Sequence, residues 1–154
     1  RGVQKGTLTI EQVYIGGLAA FALALIFGVP LIIKGGTPIL IILLISITCG
    51  YIYTGGPIPL AYHGLGEVFV LLFFGLVSTM AAYYFQTGEI DGKATLLGLQ
   101  LGNLATVPIA INNLRDIIDD SKVDKKTLAV RFGKQFGRME VTVLTIIPFL
   151  MNFL

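Results

Sequence analysis

Asn112-Asn113-Leu114-Arg115-Asp116-Ile117-Ile118-Asp119-Asp120-Ser121-Lys122-Val123-Asp124-Lys125-Lys126-Thr127-Leu128-Ala129-Val130-Arg131-Phe132-Gly133 is the stretch that decides how the rest of the chain is read. Four of the nine acids and five of the eleven Lys/Arg fall inside it, between flanks that are almost wholly apolar. Asp116, Asp120 and Asp124 recur every fourth residue, a spacing that would stack them along one side of a helix. Like charges so spaced repel by about 0.2–0.5 kcal/mol per pair. A chain with only 13% charged residues has little reason to align three carboxylates unless a cation joins them. Hard oxygen ligands among basic neighbours suit Mg2+ shared with a phosphate group.

The flanks set the environment. The chain is 55% hydrophobic, its mean hydropathy is +0.83, and soluble domains carry about 25% charged residues. It is therefore an integral membrane protein whose main partner is the lipid bilayer. A net charge of +2 carries no nucleic-acid signal. The single cysteine, Cys49, lies in an apolar run, which excludes a disulfide framework or a thiolate metal site. A chain that opens on Arg1 and stops inside an apolar segment reads as an excerpt of a longer protein.

Five uncharged or nearly uncharged stretches read as membrane crossings, for which about 20 residues are needed, the second being short and the fifth cut off at Leu154. They run over 13–33, 38–53, 68–86, 94–114 and from about 140 onward. Thr9 and Gln12 form a capping pair before the first, and Gly28 and Pro30 are expected to bend or end it. Lys34-Gly35-Gly36 is a turn, and Thr37-Pro38 opens the second span with a cap and a first-turn proline. The Gly/Pro-rich loop 54–66 cannot be regular helix, and Glu67 opens the third span as an acid suited to the helix dipole. The fourth span carries Gly98 and Gly102, which permit close helix approach. Gln100 and Asn103 should face other helices or a cavity, and Pro108 should kink the span. With five spans alternating sides, Arg1, Lys5, Arg115, Lys122, Lys125, Lys126, Arg131, Lys134 and Arg138 share one side, nine of eleven basic residues. The positive-inside rule makes that side, with the aspartates, cytoplasmic.

The central stretch also carries a resemblance. Asn112-Asn113-Leu114-Arg115-Asp116, then Asp120, then Lys125 through Gly133, resembles the second aspartate-rich motif of the UbiA superfamily of intramembrane prenyltransferases. Tyr53-Thr54-Gly55-Gly56-Pro57-Ile58-Pro59-Leu60-Ala61-Tyr62-His63-Gly64-Leu65-Gly66-Glu67 resembles its menaquinone branch, the 1,4-dihydroxy-2-naphthoate polyprenyltransferases. Arg1 to Thr9 resembles the segment just after the first aspartate-rich motif. The resemblance covers the whole chain, residues 1–154, as part of one domain.

It implies an all-α, multi-span transmembrane helix bundle, typically of nine spans, of which about five lie here. The first aspartate-rich motif and the terminal spans are expected outside this segment, which alone should be inactive. The implied reaction joins a polyprenyl diphosphate to 1,4-dihydroxy-2-naphthoate with Mg2+, losing diphosphate and carbon dioxide, in a bacterial inner membrane. Asp116, Asp120 and Asp124 are the expected metal ligands, although Asp124 falls where the branch often has glycine. Asn113 joins Asp116 and Asp120 as catalytic, Arg115, Lys125, Lys126 and Arg131 would pair with diphosphate oxygens, and Asn112, a substrate-binding candidate, could with Asn113 either cap helix carbonyls or orient the carboxylates or a metal-bound water. Tyr53 and Tyr62 are substrate-facing candidates that serve equally as interfacial anchors, and His63 reads as solvated. Asp119 reads as solvent-facing, Lys134 and Arg138 as topology determinants. Other acceptors (homogentisate, 4-hydroxybenzoate, chlorophyllide or haem) are the alternative within the superfamily. A transporter is the alternative outside it, one that would usually place ionisable groups near mid-membrane.

Overall fold

A computed structural model describes residues 6–55 and 59–153, with only the backbone described at Thr54. The opening residues through Lys5 and Gly56-Pro57-Ile58, which carry part of the resemblance, lie outside the described residues. Every regular element among the described residues is helical: α1 (Ile10–Thr54), a 3-10 turn (Leu60–His63), α2 (Gly66–Val70), a π-helical stretch (Leu71–Val77), α3 (Ser78–Thr87), α4 (Gly92–Arg115), α5 (Ile117–Lys122), α6 (Leu128–Leu150) and a closing 3-10 turn (Met151–Phe153). Four continuous helical segments are long and apolar enough to cross a membrane: Ile10–Tyr53, Gly66–Thr87, Gly92–Arg115 and Leu128–Phe153.

The chain packs as two compact units, Arg1–Ile47 and Thr48–Leu154. In the first, the Thr9–Gln12 pair forms as expected: the Thr9 amide donates to Gln12 Oε1 at 2.9 Å, and the Gln12 amide donates to Thr9 Oγ1 at 3.1 Å. α1 is broken at Gly36, where φ 68 and ψ −158 leave the helical region. A methyl group on Gly28 would lie 2.6 Å from Leu43 Cδ2. Those residues would be about 22 Å apart along a straight helix, so the chain doubles back at the break. Gly28, Gly35 and Ile39 are the buried positions of this hairpin. The helix does not end at Gly28 or Pro30; it continues to the turn at Lys34-Gly35-Gly36, because only there does the backbone take a conformation that needs glycine.

In the second unit, α2, the π-helical stretch and α3 run on as one span against α4, and α6 packs on α4 from the other end of the chain. Gly98 and Gly102 act as expected: a methyl on Gly75 would land on the Gly102 backbone and 2.5 Å from the Gly98 carbonyl oxygen. At the end of the π-helical stretch Ser78 Oγ donates to the Phe74 carbonyl at 2.8 Å and so satisfies it locally. Asp91 caps α4 by accepting from the Lys93 amide at 2.8 Å, and Tyr83 donates across the turn to Asp91 at 3.3 Å. α4 passes through Pro108 and stays helical to Arg115. α6 begins at Leu128, well before the expected start near 140. Thr127 caps it by accepting from the Val130 amide, and a non-helical Gly133 (φ 87, ψ 174) divides it. Lys134 and Arg138 therefore ride on the same helix as Glu140 and not on a segment ahead of it.

Burial is the reverse of a water-soluble domain. The buried positions of the second unit are small or polar, including Ala94, Ala110, Ala129, Thr106, Asn113, Thr127 and Glu67, while large aliphatic and aromatic side chains point outward. That is how helices pack in lipid, where close backbone approach and hydrogen bonds supply the attraction. Gln100 shows it: its Nε2 donates to the Pro148 carbonyl at 3.1 Å and to Asn152 Oδ1 at 2.8 Å, tying α4 to the end of α6. Asn103 instead turns back to its own helix, donating to the Leu99 carbonyl at 2.8 Å. Gln100→Leu should cost about 1 kcal/mol, read as a fall of a few degrees in Tm of the detergent-purified protein.

Candidate active site

The site is built where α4 ends. Asp116 still closes the last turn, its amide donating to the Asn112 carbonyl at 2.9 Å, but its own φ −94 and ψ 12 leave the helix. α5 starts at once, and the Asp120 amide donates to the Asp116 carbonyl at 2.8 Å. Asp116 and Asp120 therefore sit one turn apart across the α4–α5 junction. The row stops there. α5 ends at Lys122, and Asp124 takes φ 54, the left-handed conformation that Asp tolerates better than most residues. Its carboxylate is 84% exposed and lies 3.4 Å from Lys126 Nζ. The expected helical stacking of all three aspartates is thus not what the backbone does, because the chain must turn back here to enter α6. Asp119 faces solvent as expected and pairs with Lys122 at 3.0 Å.

Basic side chains already cover the two remaining carboxylates. Arg115 forks onto Asp116, Nε at 2.7 Å and Nη2 at 2.8 Å. Lys125 lies 2.9 Å from Asp120, and both of those side chains are largely buried. Arg131 does something different. Its Nε donates to the Lys126 carbonyl and its Nη2 to the His63 carbonyl, each at 3.0 Å. The Lys126 amide also donates to the Tyr62 carbonyl at 2.8 Å. Gly64, at φ 72, makes this join possible, since a methyl there would lie 2.7 Å from the Lys126 oxygen. The 60–64 turn is therefore stapled to the start of α6, which brings exposed Tyr62 and His63 beside the second motif. Arg131→Lys keeps the charge but cannot fork to both carbonyls. It should lower Tm by several degrees, measured on the purified protein, and restoring the wild-type Tm with lysine would show the staple to be idle.

The two asparagines separate. Asn112 is exposed, whereas Asn113 is buried and its Nδ2 donates to Glu67 Oε1 at 2.6 Å. Glu67 is itself only 5% exposed, so it is not merely an acid at an exposed helix start. Nothing in its local sequence marks it, because its partner lies far along the chain and meets it only through the packing of α2 on α4. Half-buried Tyr53 lies close by: its hydroxyl would be 3.0 Å from a methyl on Gly66. Among the described residues no three His, Cys, Asp or Glu side chains gather as a metal cage. Asp116 and Asp120, one turn apart, are two carboxylates, a number that would suit Mg2+, an ion that usually takes one or two and completes its shell with substrate phosphate and water.

The sequence matches the UbiA prenyltransferase family over residues 1–154. The chain belongs to the UbiA prenyltransferase family. It is 44% identical over 101 residues to a 1,4-dihydroxy-2-naphthoate octaprenyltransferase of Haemophilus influenzae, covering 66% of this chain and 33% of that protein. Proteins of the same name from Escherichia coli (36% over 152 residues, 90% of this chain and 47% of that one) and Bacillus subtilis (32% over 146 residues, 84% and 47%) are also similar to it. This UbiA family chain spans a third to about half the length of these curated relatives. No solved structure matches it.

Proposed function

We propose that this chain carries the second aspartate-rich motif of an aromatic prenyltransferase. The whole protein would transfer a polyprenyl group from its diphosphate to 1,4-dihydroxy-2-naphthoate, releasing diphosphate and carbon dioxide, in menaquinone or phylloquinone synthesis. The observation that carries this reading is the one-turn Asp116–Asp120 pair with Arg115 and Lys125 already against it, in a chain whose relatives bear that enzyme name.

Asp116 and Asp120 would hold Mg2+, which when bound supplies Lewis acidity to the departing diphosphate. Arg115 and Lys125 exchange their carboxylate partners for diphosphate oxygens as charge builds there, with Arg115 able to bind two at once. Lys126, more than half exposed beside Asp124, is a further donor at the rim. The apolar spans keep water from the allylic carbon once its C–O bond breaks. The electron-rich ring carbon of the acceptor forms the new C–C bond, and the ring regains its electron pair when the carboxylate leaves as carbon dioxide. Tyr62 and His63, stapled beside this turn, and Tyr53, near Gly66, would face the acceptor. By the positive-inside rule this face would be the cytoplasmic one, and the membrane would be a bacterial inner membrane.

The test is made on the full-length protein in membranes, with 1,4-dihydroxy-2-naphthoate, a long prenyl diphosphate and Mg2+. The expected product is demethylmenaquinol, the prenylated hydroquinone, read as demethylmenaquinone once air has oxidised the extract. Prenylation of 4-hydroxybenzoate or homogentisate in its place would move the protein to another branch, and no prenylation of any acceptor would end the reading.

A further inference from the structure

Glu67 is the one buried charged side chain among the described residues. Burying a carboxylate is costly unless it is well paired, and interaction with a helix dipole does not require burial. Its Oε1 takes the Asn113 Nδ2 hydrogen at 2.6 Å, while its Oε2 is buried with no donor. Glu140, on α6, lies within reach of the Glu67 charge and also has a buried Oε2 without a donor.

A carboxamide can sit in either of two flipped orientations. With Nδ2 donating to Glu67 Oε1, Oδ1 is turned away from Glu67. Asn113 lies three residues before Asp116, the spacing of helix neighbours. We propose that Glu67 is a positioning residue that locks the Asn113 carboxamide so that its Oδ1 serves the Asp116–Asp120 turn as an acceptor for a metal-bound water or a ligand hydrogen. This deepens the transferase reading and rests on it.

Two conservative variants of the full-length protein separate this role from that of a helix-start acid. Glu67→Gln keeps an amide oxygen for Asn113 and turns Nε2 toward Glu140; Glu67→Asp keeps the charge but is one methylene too short for the bond. Affinity for magnesium pyrophosphate is measured by titration calorimetry, alongside kcat and the KM of the acceptor. Gln should stay within about threefold of wild type in each. Asp should lose about tenfold in pyrophosphate affinity and in kcat, with acceptor KM unchanged. The reverse order, equal losses in both or no loss in either would overturn the proposal. A wild type that binds magnesium pyrophosphate but prenylates nothing removes the transferase reading, while the Gln and Asp affinities still decide the role of Glu67. A wild type that binds no pyrophosphate overturns both.

Discussion

Asp116→Ala and Asp120→Asn are expected to cut prenyl transfer by the full-length protein by on the order of 10²–10³, with little change in folding. The two carboxylates are the only acids that the backbone sets one turn apart at the α4–α5 junction. Leaving-group departure concentrates negative charge on the diphosphate, and a lost metal ligand is felt most at that moment. The folded state should tolerate the first change because Arg115 is more than half exposed and remains solvated when its partner is gone. Asp120 needs the milder replacement: Lys125 is only 24% exposed, and alanine would strand its ammonium, whereas asparagine still offers an oxygen. Asp124→Ala should lose less than either, since that carboxylate is 84% exposed and points from a left-handed turn. Initial rates with Mg2+ in excess, together with Tm, check all three. Wild-type rates in Asp116→Ala and Asp120→Asn at unchanged Tm would remove both residues from the chemistry.

Features that depend on near neighbours along the chain are legible in the amino-acid order itself. The Thr9–Gln12 pair, the Lys34–Gly36 turn and the Gly98/Gly102 spacing each follow from local backbone or packing rules, and each is present. The polar face of α4 is legible too, because Gln100 in an apolar helix must find a partner. What fails is extrapolation of a period across a break. The four-residue rhythm of Asp116, Asp120 and Asp124 holds only while the helix does, and Asp124 leaves it at φ 54. Charge misleads in the other direction at 128–138. Arg131, Lys134 and Arg138 read as a basic segment ahead of a span starting near 140, yet Thr127 caps a helix beneath them and their charged ends remain at its surface. Glu67 is legible only as a helix start, since its pairing with Asn113 is a product of tertiary packing.

Replacing Gly75 should do the greatest damage to the fold. Gly75 lies in the π-helical stretch, and a methyl there would fall on the Gly102 backbone and 2.5 Å from the Gly98 oxygen. Gly102 answers from the other side, with its added methyl 2.7 Å from the Leu71 carbonyl oxygen. The obstructing atoms are backbone on both helices, so no rotamer change relieves the clash and the helices must part. In lipid that separation is not offset by a hydrophobic gain elsewhere, because van der Waals contact is much of what holds such helices together. Gly75→Ala should destabilise by about 1–3 kcal/mol, and Gly75→Leu should leave no folded protein in detergent extracts. Gly17→Ala is the control: it sits in α1 with nothing within 4 Å of the added methyl, and should be neutral or stabilise by up to about 1 kcal/mol. The crossing also sets the site, since α4 carries Asn113 and leads into Asp116, and the helix packed on it carries Glu67 in its first turn. Gly75→Ala should therefore lose activity beyond what its folded fraction explains. Thermal melts of the three variants followed by size-exclusion chromatography, with rates normalised to folded protein, test both claims. A Gly75→Leu protein with the wild-type Tm would mean that the two helices do not meet at these glycines.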